Sequence, residues 1–168
     1  MTVLKVVKVI PVVCGGLIAG IYLDYSASAV ARGGLSASSF VQYQQMVHVR
    51  YVWMMPVLIV TGILTCLIWL LTVKARPKTP EFWLVAAAVG GLLIIAGVTR
   101  AVNAPLNDQL MTWSVAAPPA NFREVWAAWE RANTMRAAVA VGVLILVSLA
   151  LILQASNHHL ICNHRNQQ

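Results

Sequence analysis

Four residues at i, i+4, i+7 and i+11 share one stripe of a helix: Gln44, His48, Tyr51 and Met55. A neutral imidazole near a membrane pocket can act as a base, a hydrogen-bond partner or a metal ligand. His48 is the only histidine outside the C-terminal residues. Gln44 or Tyr51 on the same stripe would hold the second ring nitrogen and fix the tautomer, as a base or an axial ligand requires. The competing reading is a packed histidine whose nitrogens are satisfied by a neighbour. A second stripe, Trp126, Trp129, Asn133 and Arg136, follows i, i+3, i+7, i+10 spacing. An interfacial aromatic belt would account for the tryptophans. It does not account for an amide and a guanidinium on the same face. Arg136 opens an apolar run, so it must either snorkel outward or pair inward. Between the stripes lies Asn103-Ala104-Pro105-Leu106-Asn107. Pro105 cannot continue a helical ladder and frees a carbonyl one turn back. The two asparagines either satisfy that backbone or aim amide groups into a pocket, and the segment is expected to end a membrane helix.

Other chemistry is missing from the pattern. There is no pair of carboxylates within an apolar run, no Cys-x-x-Cys and no phosphate-cradling loop. No acid falls inside an apolar run, which argues against a pump or proton-coupled transporter. Cys14, Cys66 and Cys162 are too few and too far apart for a disulfide framework. Cys14 and Cys66 read as small packing residues. The C-terminal His158, His159, Cys162 and His164 are metal-ligand types, but their spacing matches no standard zinc pattern. They read as part of a solvated tail.

The elements that must carry these residues follow from composition. Of 168 residues, 60% are hydrophobic and 10% charged, against roughly 25% charged in a soluble domain. The net charge of +7 sits mostly at the ends of apolar runs, where it marks membrane topology rather than nucleic-acid binding. Crossing a bilayer core of about 30 Å takes roughly 20 apolar residues as helix. Four segments qualify, at about 3–23, 52–73, 82–102 and 137–153. The expected fold is an all-α integral membrane four-helix bundle over 1–154, with 155–168 as a cytoplasmic tail. The N-terminal segment has the layout of a secretory leader, but is read as the first span, with Lys5 and Lys8 snorkelling from its end. The basic loop Lys74-Ala75-Arg76-Pro77-Lys78 places both termini in the cytoplasm of a multi-pass cell-membrane protein. Ser38 and Ser39 are candidate caps for a long second helix containing Pro56, and Asn121 for a helix from Phe122 that runs into the fourth span. Glu124 and Arg131 are candidates for an ion pair on that helix. Gly16 with Gly20, and Gly90, Gly91 and Gly97, allow close helix approach, inside the bundle or at the seam of a homo-oligomer.

The Asn103-x-Pro105-x-Asn107 element followed by Trp126-x-x-Trp129-x-x-x-Asn133-x-x-Arg136 resembles the anthrone-oxygenase-like family of small four-helix membrane proteins. The resemblance covers most of the chain, from the first span to the fourth. It implies a polar pocket of Asn103, Asn107, Asn133 and Arg136, with Trp129 as an aromatic wall and His48 facing it. It also implies a membrane oxygenase or oxidase that uses dioxygen on an apolar aromatic, anthrone- or phenol-like small molecule. His48, Arg136 and Asn133 would then serve the chemistry, and Tyr51 and Trp126 would join the ligand contacts. The reaction would be cofactor-free or would use a haem b ligated by His48. The alternative from another class is a non-enzymatic scaffold or lipid-binding subunit, whose asparagines and arginine only tie the bundle together.

Overall fold

A computed structural model describes residues 3–74, 77 and 79–165, and the side chains within them except those of 3, 5 and 155–165. All regular elements among these residues are helical: α1 (Val3–Ala27), α2 (Ala29–Gly33), α3 (Ala37–Val73), α4 (Pro80–Val98), a π-helical turn (Thr99–Asn103), α5 (Ala104–Met111) and α6 (Phe122–Arg165). Among the described residues, four stretches are long and apolar enough to cross a membrane: Val6–Ala27, Ala37–Val73, Pro80–Met111 and Phe122–Gln154. In lipid each backbone N–H and C=O needs a partner within its own segment, which a helix supplies. The chain is therefore an all-α, multi-pass membrane protein.

The long helices form a ring in which α6 packs against α1 and α4, and α3 against the same two. Their shared core includes Ile18, Trp69, Val85, Leu92, Ile95, Val143 and Val147. The approach of α4 to α6 is closest at Gly91, where an added Cβ would lie 2.5 Å from Val143 Cγ2. At Gly20, Gly90 and Gly97 an added Cβ would meet nothing within 4 Å. Cys14 and Cys66 are buried and free.

At the end of the bundle that carries the termini, Lys8 does not snorkel. It is 4% exposed and lies 3.3 Å from Glu81 on α4. Trp69 Nε1 donates to the same carboxylate oxygen at 2.8 Å. A buried ammonium needs a paired opposite charge, and Glu81 supplies it. The Lys5 side chain lies outside the described residues, as do Ala75, Arg76 and Lys78 of the basic loop and the side chains of the C-terminal histidines and Cys162.

At the opposite end the helices outrun the expected spans. The cap of α3 is Ser36, whose hydroxyl accepts from Ser39 N at 3.2 Å, two residues before the expected Ser38. The helix continues past Pro56, which has no N–H to give to the ladder. Helix α6 begins at Phe122, as its preceding Asn121 suggests. Phe40, Val41, Leu110, Trp113, Phe122 and Trp126 form a second apolar core there. Gln45 Nε2 fastens it by donating to the carbonyls of Leu110 and Trp113 at 3.0 and 2.9 Å. The ion pairs among the described residues are Lys8–Glu81 and Arg32–Glu130. Glu124 and Arg131 are both exposed and do not pair with each other.

Candidate active site

Pro105 does not end its helix. It has no N–H to give, and its ring would crowd the carbonyl of Ala101 in a regular α-helix. The π-helical turn Thr99–Asn103 precedes it, widening the coil before α5 resumes at Ala104. Thr99, Ala104, Asn107 and Asp108 all border a cavity at this end of the bundle.

The cavity has a volume of about 340 Å³. Helix α3 contributes Gln44, His48, Tyr51 and Met55, the whole of the first stripe. Helix α6 contributes Trp126, Trp129, Asn133 and Arg136, the whole of the second. Helix α1 adds Tyr22, Asp24 and Tyr25, and all four tyrosines of the chain border the space. The stripes therefore face each other across one volume, as helical spacing requires of residues three, four and seven apart.

Arg136 turns inward and is 4% exposed. Its Nη1 donates to Thr99 Oγ1 at 3.0 Å and to the Tyr22 hydroxyl at 3.4 Å. Its Nη2 donates to Asn133 Oδ1 at 3.2 Å. Its guanidinium carbon lies 4.5 Å from the Tyr22 ring centroid and 5.4 Å from that of Trp129. All of these partners are neutral. No carboxylate of the described residues lies within ion-pair distance, and Nε is buried without a partner. A buried cation without an opposite charge is costly, and a neighbouring anion offsets that cost.

Asn133 holds this guanidinium in place from below. Its amide donates to the Tyr22 carbonyl at 3.2 Å and to Ser26 Oγ at 3.1 Å, tying α6 to α1. The two asparagines around Pro105 do not satisfy their own broken backbone. Asn107 Oδ1 accepts from Trp129 Nε1 at 2.8 Å, and Asn103 Nδ2 donates to the Trp129 carbonyl at 3.3 Å. Asn103 is 1% exposed and stands behind the cavity wall rather than in it. Trp129 stacks on Trp126 with ring centroids 4.9 Å apart and planes 12° from parallel. The aromatic wall is thus a fixed pair of indoles.

His48 is half-buried on the cavity and has no hydrogen-bond partner among the described residues. The expected tautomer-fixing neighbour is absent because Gln44 is committed elsewhere, donating to the Tyr25 hydroxyl. Spacing within α3 and α6 could not reach Tyr22 and Tyr25, which come from α1. Nor could it reach Asp24 and Asp108, two exposed acids bordering the cavity just past the expected ends of the first and third spans. No three His, Cys, Asp or Glu side chains among the described residues cluster as a metal site requires.

A search of curated proteins and of solved structures finds no match to this chain. The sequence model of anthrone oxygenase matches residues 43–146. That stretch leaves out α1, which the resemblance read from sequence had included. It takes in both facing stripes and the asparagine pair that clamps Trp129, and with most of the chain so matched, this protein belongs to the anthrone oxygenase family.

Proposed function

We propose that the chain is a membrane oxygenase that oxidises a flat, apolar aromatic carbon acid of the anthrone type with dioxygen. The observation that carries this reading is Arg136, a buried guanidinium with only neutral partners beside an aromatic cavity. Such a site favours a ligand that becomes an anion. An anthrone has a methylene between two rings, para to a carbonyl. His48 removes one methylene proton, and the charge spreads onto the carbonyl oxygen, where Arg136 stabilises it. The paired indoles of Trp126 and Trp129 offer a face for the rings. The electron-rich anion adds dioxygen at the former methylene carbon, and loss of water from the resulting hydroperoxide yields a quinone. One substrate and one dioxygen give one quinone and one water.

We take the cofactor-free form of this chemistry. The cavity volume of about 340 Å³ is at the small end of ligand pockets, roughly 300–1,000 Å³, which suits three fused rings better than a porphyrin. An absorption spectrum of the purified protein distinguishes the forms, since a haem would show its Soret band.

The test is aerobic oxidation of anthrone by the protein in lipid nanodiscs, followed by quinone absorbance. Wild type should accelerate the reaction. Arg136→Lys should lose about 100-fold, because an ammonium cannot hold Thr99, Tyr22, Asn133 and a ligand oxygen at once. Equal rates with and without protein would favour the scaffold or lipid-binding reading instead.

A further inference from the structure

Tyr25 has hydrogen bonds that run in one direction only. Its phenolic oxygen accepts from the Gln44 amide and from Trp126 Nε1, the latter at 3.0 Å. Both of those N–H groups can only donate. The two lone pairs of the phenol are then in use, and its remaining capacity is its own proton. No group among the described residues accepts that proton. The ring is also fixed. The Arg32 guanidinium carbon is 3.4 Å from its centroid, and the Trp129 ring is 4.5 Å away at 55°. Arg32 is itself buried and donates to the Tyr25 carbonyl. Tyr25 borders the cavity.

We propose that Tyr25 is an obligate hydrogen-bond donor to the cavity's ligand and forms a second oxygen-binding pole, distinct from Arg136. Trp129 touches both poles, with 4.5 Å to the Tyr25 ring and 5.4 Å to the Arg136 guanidinium carbon. The ligand class that uses both is a planar aromatic with two separated oxygen functions. One accepts from the cation and the other from a neutral phenol.

The reaction step assigned to Tyr25 rests on the oxygenase reading above. In that step a base takes the remaining C–H proton of the ring hydroperoxide. The C–H electron pair becomes the second bond of the new carbonyl, and the O–O bond breaks with its pair on the distal oxygen. That oxygen takes the Tyr25 proton and leaves as water. The protonated base then returns its proton to the Tyr25 phenolate.

Binding tests the donor without turnover. Anthrone and anthraquinone are titrated anaerobically against the full chain in nanodiscs, reading tryptophan fluorescence. Wild type should bind the quinone, with its second oxygen, about tenfold more tightly than anthrone. Tyr25→Phe should abolish that preference and leave anthrone affinity within about twofold. Gln44→Glu should do the same with the phenol still present, because a carboxylate captures the proton that the amide leaves free. A quinone preference that survives in either folded variant, or is missing in wild type, overturns the proposal. If the preference behaves as expected while wild type fails to oxidise anthrone in air, the donor site stands and the oxygenase reading falls.

Discussion

Asn107 accepts the indole N–H of Trp129 at 2.8 Å, while Asn103, four residues earlier, holds the carbonyl of the same tryptophan. The Asn-x-Pro-x-Asn element is therefore a two-point clamp on one residue of another helix. Pro105 and the π-helical turn set the register that lets both amides reach it.

Removing the outer point of the clamp should loosen the aromatic wall without emptying the cavity. Asn107→Leu leaves the Trp129 N–H unpaired in an apolar wall, a loss of about 1–3 kcal/mol in the fixed geometry. Anthrone oxidation should fall about tenfold, mostly through KM, since the indole no longer presents one face to the rings. Asn107→Asp keeps an acceptor oxygen and should retain most of the activity. Initial rates over a range of anthrone concentrations give the comparison.

The packing of α4 on α6 gives a second test, on stability. A Cβ at residue 91 would lie 2.5 Å from Val143 Cγ2. Val143 is buried and β-branched, so its χ1 has little freedom in a helix. Gly91→Ala should destabilise the bundle by about 1–3 kcal/mol, and adding Val143→Ala should recover much of it. Gly90→Ala, where a Cβ meets nothing within 4 Å, should be close to neutral. Thermal unfolding in detergent separates these outcomes.

How far the sequence could be read depended on whether a signal lay within one helix or between helices. The two stripes are properties of single helices, and each lines the cavity in full. Helical periodicity alone is enough for that. Tyr25 was not legible because its importance comes from Gln44 and Trp126 on two other helices. Lys8 departs from its expected place for the same reason: a lysine near a span end snorkels by default, and the packed position of Glu81 on another helix holds it inward. Pro105 reads as a stop because its missing N–H and its ring disturb the α-helical ladder, and the π turn before it takes up that disturbance. Arg32, deeply buried against Tyr25, had no local signal at all, since a charged residue in a polar connection is ordinarily solvated.

Topology is open to a direct test. Basic residues beside span ends favour the cytoplasm, and Lys74 closes α3 at the end of the bundle that carries both termini. Ala117 is exposed at the opposite end. In a Cys162→Ser chain with Cys14 and Cys66 left buried, Lys74→Cys should react with an impermeant maleimide only from the cytoplasmic face, and Ala117→Cys only from the other. The reverse labelling would put the cavity end in the cytoplasm.

His48 gives the last test, since it borders the cavity without the tautomer-fixing partner expected of it. A histidine that tied helices together would bond a residue of another helix. His48 borders the cavity with neither nitrogen bonded to the described residues. Its removal should therefore cost little stability and nearly all of the chemistry. His48→Ala should unfold within a few degrees of wild type while anthrone oxidation falls by about 10²–10⁴-fold, the range for a general base. His48→Gln, similar in size but unable to take a proton at neutral pH, should fail equally. Truncation after Gln154 removes His158, His159 and His164 and should leave the rate unchanged. If truncation abolishes oxidation while His48→Ala is silent, the base is in the tail, and the two facing stripes only hold the bundle together.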